Sequence, residues 1–325
     1  MPPTAPLRAR LAQAVRFDGL WWRRFAYLGC VYGPDWWTHY SPPVIAAIIF
    51  AIVGRNRRGA ITNLQRILDQ PDRRRAGLTG LRMFAEFAHC LTETTQYYGP
   101  RPRAIRLDTP QHDPLAEALR AGRGAVVVTG HFGNWDIAAK ALCDYGRPIN
   151  VVMAREVNAT TQEYVRSARE QAGVRVIFSD SSVFSSLNMI RALRQNEVVA
   201  IQLDRMLGPG GARQLPFFGA LAPFPSGPFV LARLAGAPVI PVFIPRLGPR
   251  HYAIRVTGRF FLAREARDAH ALDRVMGEVV REFEAMIREF PTQWFQFAPF
   301  WPAAAAAALP AVDEIEARPQ RRLRR

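Results

Sequence analysis

A histidine and an aspartate five positions apart, His131 and Asp136, are the residues whose types and spacing best suit chemistry; they lie in VTGHFGNWDIAAKAL, residues 128–142. A carboxylate that accepts from one imidazole nitrogen fixes the ring's tautomer and leaves the other nitrogen available as a base. Such a pair suits removal of a proton from an alcohol. Gly130 and Gly133 tolerate backbone angles that other residues resist, which would let ring and carboxylate meet over so short a span. Each residue also has a plainer reading. His131 can be a satisfied structural histidine, and Asp136 can serve only to favour a helix N-terminus.

The pair needs a frame. The valines before Thr129 read as a buried strand that breaks at Gly130 and is followed by a helix, and open α/β sheets bind ligands at the carboxyl ends of their strands. Between Gly122 and Pro245, apolar runs without strict alternation predict strands at 125–128, 149–153, 174–178, 198–202 and 239–244, as expected for a parallel sheet covered on both faces. Helical spacing predicts helices at 135–145, 159–172, 182–194 and 228–234 and a long amphipathic helix at 269–290, while residues 251–257 could add an edge strand. The fold class expected is α/β, a mostly parallel central sheet flanked by helices, with an N-terminal membrane-associated helical segment. The corresponding division is 1–60 for that segment, 61–302 for the main domain and 303–325 for a basic, solvated tail.

The N-terminal expectation rests on residues 17–53, where Trp21, Trp22, Phe25, Tyr27, Tyr32, Trp36, Trp37 and Tyr40 precede the apolar run PPVIAAIIFAIV. That run is shorter than the roughly 20 apolar residues a spanning helix needs. A segment lying in the membrane interface, with Trp and Tyr at headgroup level, fits better than a span. The formal charge of +16 comes almost wholly from arginine, Lys140 being the only lysine. Basicity of this kind serves nucleic acid, anionic lipid or an acidic carrier protein alike. Cys30, Cys90 and Cys143 are odd in number and widely spaced, which fits neither a disulfide framework nor a zinc site and points to a reducing compartment. No apolar run with a small-residue cleavage site follows Arg8, Arg10 and Arg16, so no secretory signal peptide is expected.

The setting GHFGNWD resembles the lipid A secondary acyltransferases and their HxxxxD relatives, which include bacterial glycolipid and phosphatidylinositol mannoside acyltransferases and lysophospholipid acyltransferase-like enzymes. The likeness continues in order through NLQRIL at 63–68, QLDR at 202–205, PFFG at 216–219, FPSGP at 224–228, LARLAGAPVIPVF at 231–243 and PTQWFQF at 291–297. It implies an O-acyltransferase that moves a fatty acyl group from acyl carrier protein or coenzyme A thioester to a hydroxyl of a membrane lipid. Lipid A or a related glycolipid is the first expectation for the acceptor, a phospholipid or phosphatidylinositol mannoside the second. His131 becomes the general base and Asp136 its orienting carboxylate.

The resemblance further implies a place at the inner membrane with the site on the cytoplasmic side, and neither bound cofactor nor metal, because the thioester is already activated. Arg169 and Arg205, and more weakly Arg155, are candidates for electrostatic support or phosphate contact, with Asp204 orienting Arg205 or capping a turn. Pro225, Ser226 and Gly227 are expected to shape the acyl or acceptor pocket. The ending PTQWFQFAPFWP differs from the Arg-rich ending of the lipid A enzymes and points toward relatives acting on other lipids.

No G-x-S-x-G, HExxH, P-loop or G-x-G-x-x-G element occurs, which argues against serine hydrolases, zincins and nucleotide-phosphate cradles. A basic, non-enzymatic membrane- or nucleic-acid-binding protein would use the arginines but would give no reason for the His131 motif. No nucleic-acid partner is expected.

Overall fold

The computed structural model describes residues 20–153, 170, 173–179, 183–205, 211–263 and 269–301. The chain opens with helices α1 (Leu20–Tyr32), α2 (Asp35–Ile52), α3 (Gly54–Ile67) and α4 (Arg73–Tyr97). There follow β1 (Arg106–Asp108), α5 (Pro114–Arg120), β2 (Ala125–Thr129), α6 (Trp135–Cys143), β3 (Ile149–Met153), β4 (Val174–Phe178), α7 (Val183–Arg194) and β5 (Val198–Gln202). The remainder is β6 (Ala212–Phe217), β7 (Ala220–Pro225), α8 (Gly227–Ala235), β8 (Val239–Phe243), β9 (Arg246–Gly248), β10 (His251–Ala253), β11 (Arg255–Val256) and α9 (Ala269–Glu289).

The main sheet has six strands in the order β11-β8-β2-β5-β3-β4. From β8 to β4 every neighbouring pair is parallel, and β11 closes the edge antiparallel to β8. The five apolar runs identified in the sequence are these five parallel strands. Val126, Val127 and Val128 are at most 2% exposed, so β2, which leads into the His131 motif, runs through the middle of the core. Helices α7 and α8 pack on each other and on the sheet. Helix α9 buries Met276, Val279, Val280, Phe283 and Ile287 completely, the stripe its spacing predicts.

Two expectations change. Residues 251–257 do not form one edge strand: β10 pairs with β1 and β9 in a separate three-stranded sheet, and only β11 borders the main one. The switch falls at Ile254, whose N–H donates to Asp108 before the next residues turn to β8. The hairpin β6–β7 was not foreseen, because Pro216, Pro223 and Pro225 argue against a strand. Among the described residues it is a two-stranded ribbon with no further strand on either edge, where a missing N–H costs little. Its two-residue turn, Phe218 and Gly219, has φ of 49° and 72°, the mirror-image geometry that matches strand twist. The Phe218 N–H is held by Glu284 at 2.9 Å.

Among the described residues no single helix is long and apolar enough to cross a membrane. Helices α2 and α3 meet at a bend of 101°, which Arg57 stabilises by donating to the terminal α2 carbonyls of Phe50 and Ala51. Helix α2 buries Thr38, Pro42 and Ala46 and packs on α4. Its other side presents Trp36, Tyr40, Val44, Ile48 and Ile52, spaced by four and each 49% to 64% exposed. The helix expected at 159–172 and the tail 303–325 fall almost wholly outside the described residues.

Candidate active site

Strands β2 and β5 are neighbours with Thr129 opposite Gln202. Two residues beyond that pair stand His131 and Asp204, so parallel register alone brings them level. Leu203 N–H still donates to Thr129 at 2.7 Å, which carries the pairing past the formal strand ends. The two side chains meet: His131 Nδ1 lies 2.8 Å from Asp204 Oδ1. The His131 backbone N–H donates to Asp204 Oδ2 at 2.8 Å, and Trp294 Nε1–H donates to the same oxygen at 2.9 Å.

An ionised carboxylate only accepts hydrogen bonds, so the ring proton belongs on Nδ1 and Nε2 is left with a free lone pair. Asp204 has 0% of its side chain exposed and His131 13%. The carboxylate is therefore sealed off while the ring keeps an opening to the site. Burial pushes the Asp204 carboxyl up, but the charge of His131 and the N–H donors of His131 and Trp294 outweigh it and hold the carboxyl below its usual range.

Two readings of the sequence meet this geometry. Nδ1 belongs to Asp204, the place expected for Asp136, because register between adjacent strands fixes side chains more firmly than a turn of five residues. Asp136 sits in the first turn of α6, and its backbone carbonyl accepts from Tyr98 at 2.7 Å. The Asp204 carboxylate is taken up by His131 and Trp294, and Arg205, three residues beyond the end of β5, is exposed.

The glycines of the motif make close approaches rather than a loose turn. A Cβ on Gly130 would lie 2.3 Å from the Phe283 ring of α9, and one on Gly133 would lie 1.9 Å from the Ile244 carbonyl, where φ is also +57°. The loop is thereby drawn against β8 and α9. Asn134 then caps α6: its Oδ1 accepts from Ile137 N–H at 3.3 Å and from Thr94 at 2.9 Å, and its Nδ2 donates to the Cys90 carbonyl and Tyr252 hydroxyl, both at 3.1 Å. Tyr252 donates onward to Glu93, which pairs with Arg246 at 2.8 Å with both side chains 7% exposed. A buried pair of this kind is costly to break on one side only, which makes the platform under the motif rigid.

Arg155 and Arg169 lie outside the described residues. Pro225, Ser226 and Gly227 form the junction between β7 and α8. The Ser226 hydroxyl donates to the Gly211 carbonyl at 2.6 Å and closes the base of the hairpin, which holds that junction. No group of three or more metal-ligating side chains occurs among the described residues. Sequence reasoning missed Trp294 and Asn134. Their signal was present in the PTQWFQF and GHFGNWD blocks, but a buried N–H donor and a cap cannot be told from ordinary packing without the partner.

Comparison with known proteins matches residues 27–302 to the bacterial lipid A biosynthesis acyltransferase family. Phosphatidylinositol mannoside acyltransferase of Mycolicibacterium smegmatis is 29% identical over 197 residues, 60% of this chain and 62% of that protein. The protein of the same name from Mycobacterium tuberculosis is 28% identical over 192 residues, 58% of each chain. The match thus spans less than two thirds of the length of these curated relatives.

Proposed function

The chain belongs to the bacterial lipid A biosynthesis acyltransferase family, and from that premise we propose that it transfers a fatty acyl group from a thioester to a hydroxyl of a membrane glycolipid. The observation that carries the chemistry is the His131–Asp204 pair, with Nε2 free at the carboxyl edge of the sheet. The acceptor hydroxyl gives its proton to Nε2 as its oxygen attacks the thioester carbonyl. The tetrahedral adduct collapses, the C–S bond breaks, and the departing thiolate takes the proton back from Nε2. Asp204 steadies the imidazolium between these steps.

The relatives are named for a mannose-bearing lipid, which favours a sugar hydroxyl as the acceptor within the glycolipid class. The donor is acyl carrier protein or coenzyme A thioester. The test is incubation of purified protein with each radiolabelled donor and a bacterial lipid extract, followed by mass spectrometry of the labelled product. An ester-linked glycolipid heavier by one acyl chain is the expected result. Absence of lipid-bound label with both donors would sink the reading.

Membrane association belongs to the same proposal, at the cytoplasmic face of the inner membrane. The exposed stripe Trp36, Tyr40, Val44, Ile48 and Ile52 supports an α2 that lies in the interface, with Arg55 and Arg58 exposed just beyond its end. Replacing Trp36, Val44 and Ile48 together by serine should lower partition onto anionic vesicles ~10- to 100-fold, given the apolar area removed. Sedimentation with vesicles measures it, and unchanged partition of a folded variant excludes α2 as the docking face.

A further inference from the structure

The segment that follows α9 lies across the motif as a clamp. Gln293 bonds both backbone groups of Arg246 at 2.7 Å and accepts from Gly133 N–H at 2.9 Å through its own carbonyl. Phe295 N–H donates to the His131 carbonyl at 2.7 Å. Between them Trp294, 1% exposed, reaches Asp204 Oδ2 through its indole N–H. Its ring is wedged among Phe217, Phe283, Phe300 and Trp301, with centroids 5.0 to 6.1 Å away. An indole so confined cannot turn away from the carboxylate.

We propose that Trp294 is a positioning residue for the transfer reaction, one whose N–H sets how strongly Asp204 holds the protonated His131. The inference rests on His131 acting as the base. Two N–H groups share Oδ2, one from the His131 backbone and one from Trp294, whereas Oδ1 has the ring alone. Donation to Oδ2 withdraws charge from the carboxylate, and less charge remains to stabilise the imidazolium at Oδ1. Aromatic groups from β6 and α9, Phe217 and Phe283, pack against the indole, and Arg205 beside Asp204 is solvent-exposed. His131 is the described titratable group that bears on the Asp204 carboxyl. The indole N–H is therefore a control on the basicity of the pair.

The sign follows directly. Removing the N–H leaves Asp204 more basic and the imidazolium better held, so the acid limb of the pH profile of kcat/KM moves to higher pH. Loss of one charge-assisted hydrogen bond implies a shift of about one pH unit. The plateau at high pH should fall less than about tenfold, since the general base is retained. The variant is Trp294→Phe, and its isosteric companion is benzothienylalanine at 294 introduced by nonsense suppression, which replaces the indole N–H by sulfur and keeps the shape. Both should move the acid limb upward. A uniform loss of kcat/KM with the limb fixed in the isosteric variant would show packing alone and overturn the proposal. His131→Ala in the same assay separates the two levels. If it retains turnover, the base itself is wrong; if it is dead while the limb stays fixed, only the role of Trp294 fails.

Discussion

His131→Ala should reduce acyl transfer by at least ~10²- to 10⁴-fold, the contribution typical of a placed general base. Nothing else in the described motif offers a lone pair held in the correct tautomer beside the sheet's carboxyl edge. The loss belongs in kcat, because proton removal is needed only as the transition state forms. Folding should survive. Asp204 keeps the His131 backbone N–H and the Trp294 indole after the ring is gone, so its charge is not stranded, though the lost bond costs roughly 1–3 kcal/mol. Circular dichroism and thermal melting establish that the variant is folded, and transfer from labelled donor measures the rate. Wild-type turnover in a folded variant would remove His131 from the mechanism while leaving open an acyltransferase that works otherwise.

The parallel strands were legible because each is a short, mostly β-branched and apolar run bounded by turns, even at the edge strand β4, where Arg175 is exposed. Helix α9 was legible from its period. The hairpin β6–β7 was not, since its prolines obey the rule for free edges and not the rule for central strands. The same division runs through the site. His131 stood out because glycines and a helix start surround it in sequence. Its partner did not, because the pairing with Asp204 is made by the alignment of β2 and β5, 73 residues apart, and register is a property of the sheet. Asp136 attracted the assignment by its nearness along the chain and by the HxxxxD resemblance.

That difference predicts an unequal response from the two aspartates. Asp204→Asn keeps the shape but places an amide against three N–H donors. Either way the amide faces, a donor is in the wrong place: turned toward the ring it favours the tautomer with the proton on Nε2, and turned toward Trp294 and the His131 backbone it strands those donors. In the first case the base is blocked, and in neither is a charge left to steady the imidazolium. Loss of a carboxylate in this position costs about 10⁴-fold in the best-known histidine triad, and ~10³- to 10⁴-fold is expected here. Asp136→Asn, in the first turn of α6, should cost at least ~10-fold less than Asp204→Asn, because the carboxylate on Nδ1 is that of Asp204. The proton position can be read independently of rate. Nitrogen-15 spectra of the His131 ring should show Nδ1–H in wild type and in Asp136→Asn, and a changed tautomer mixture in Asp204→Asn. If Asp136→Asn alters the ring and Asp204→Asn does not, the carboxylate that orients the base is Asp136 and the register argument fails.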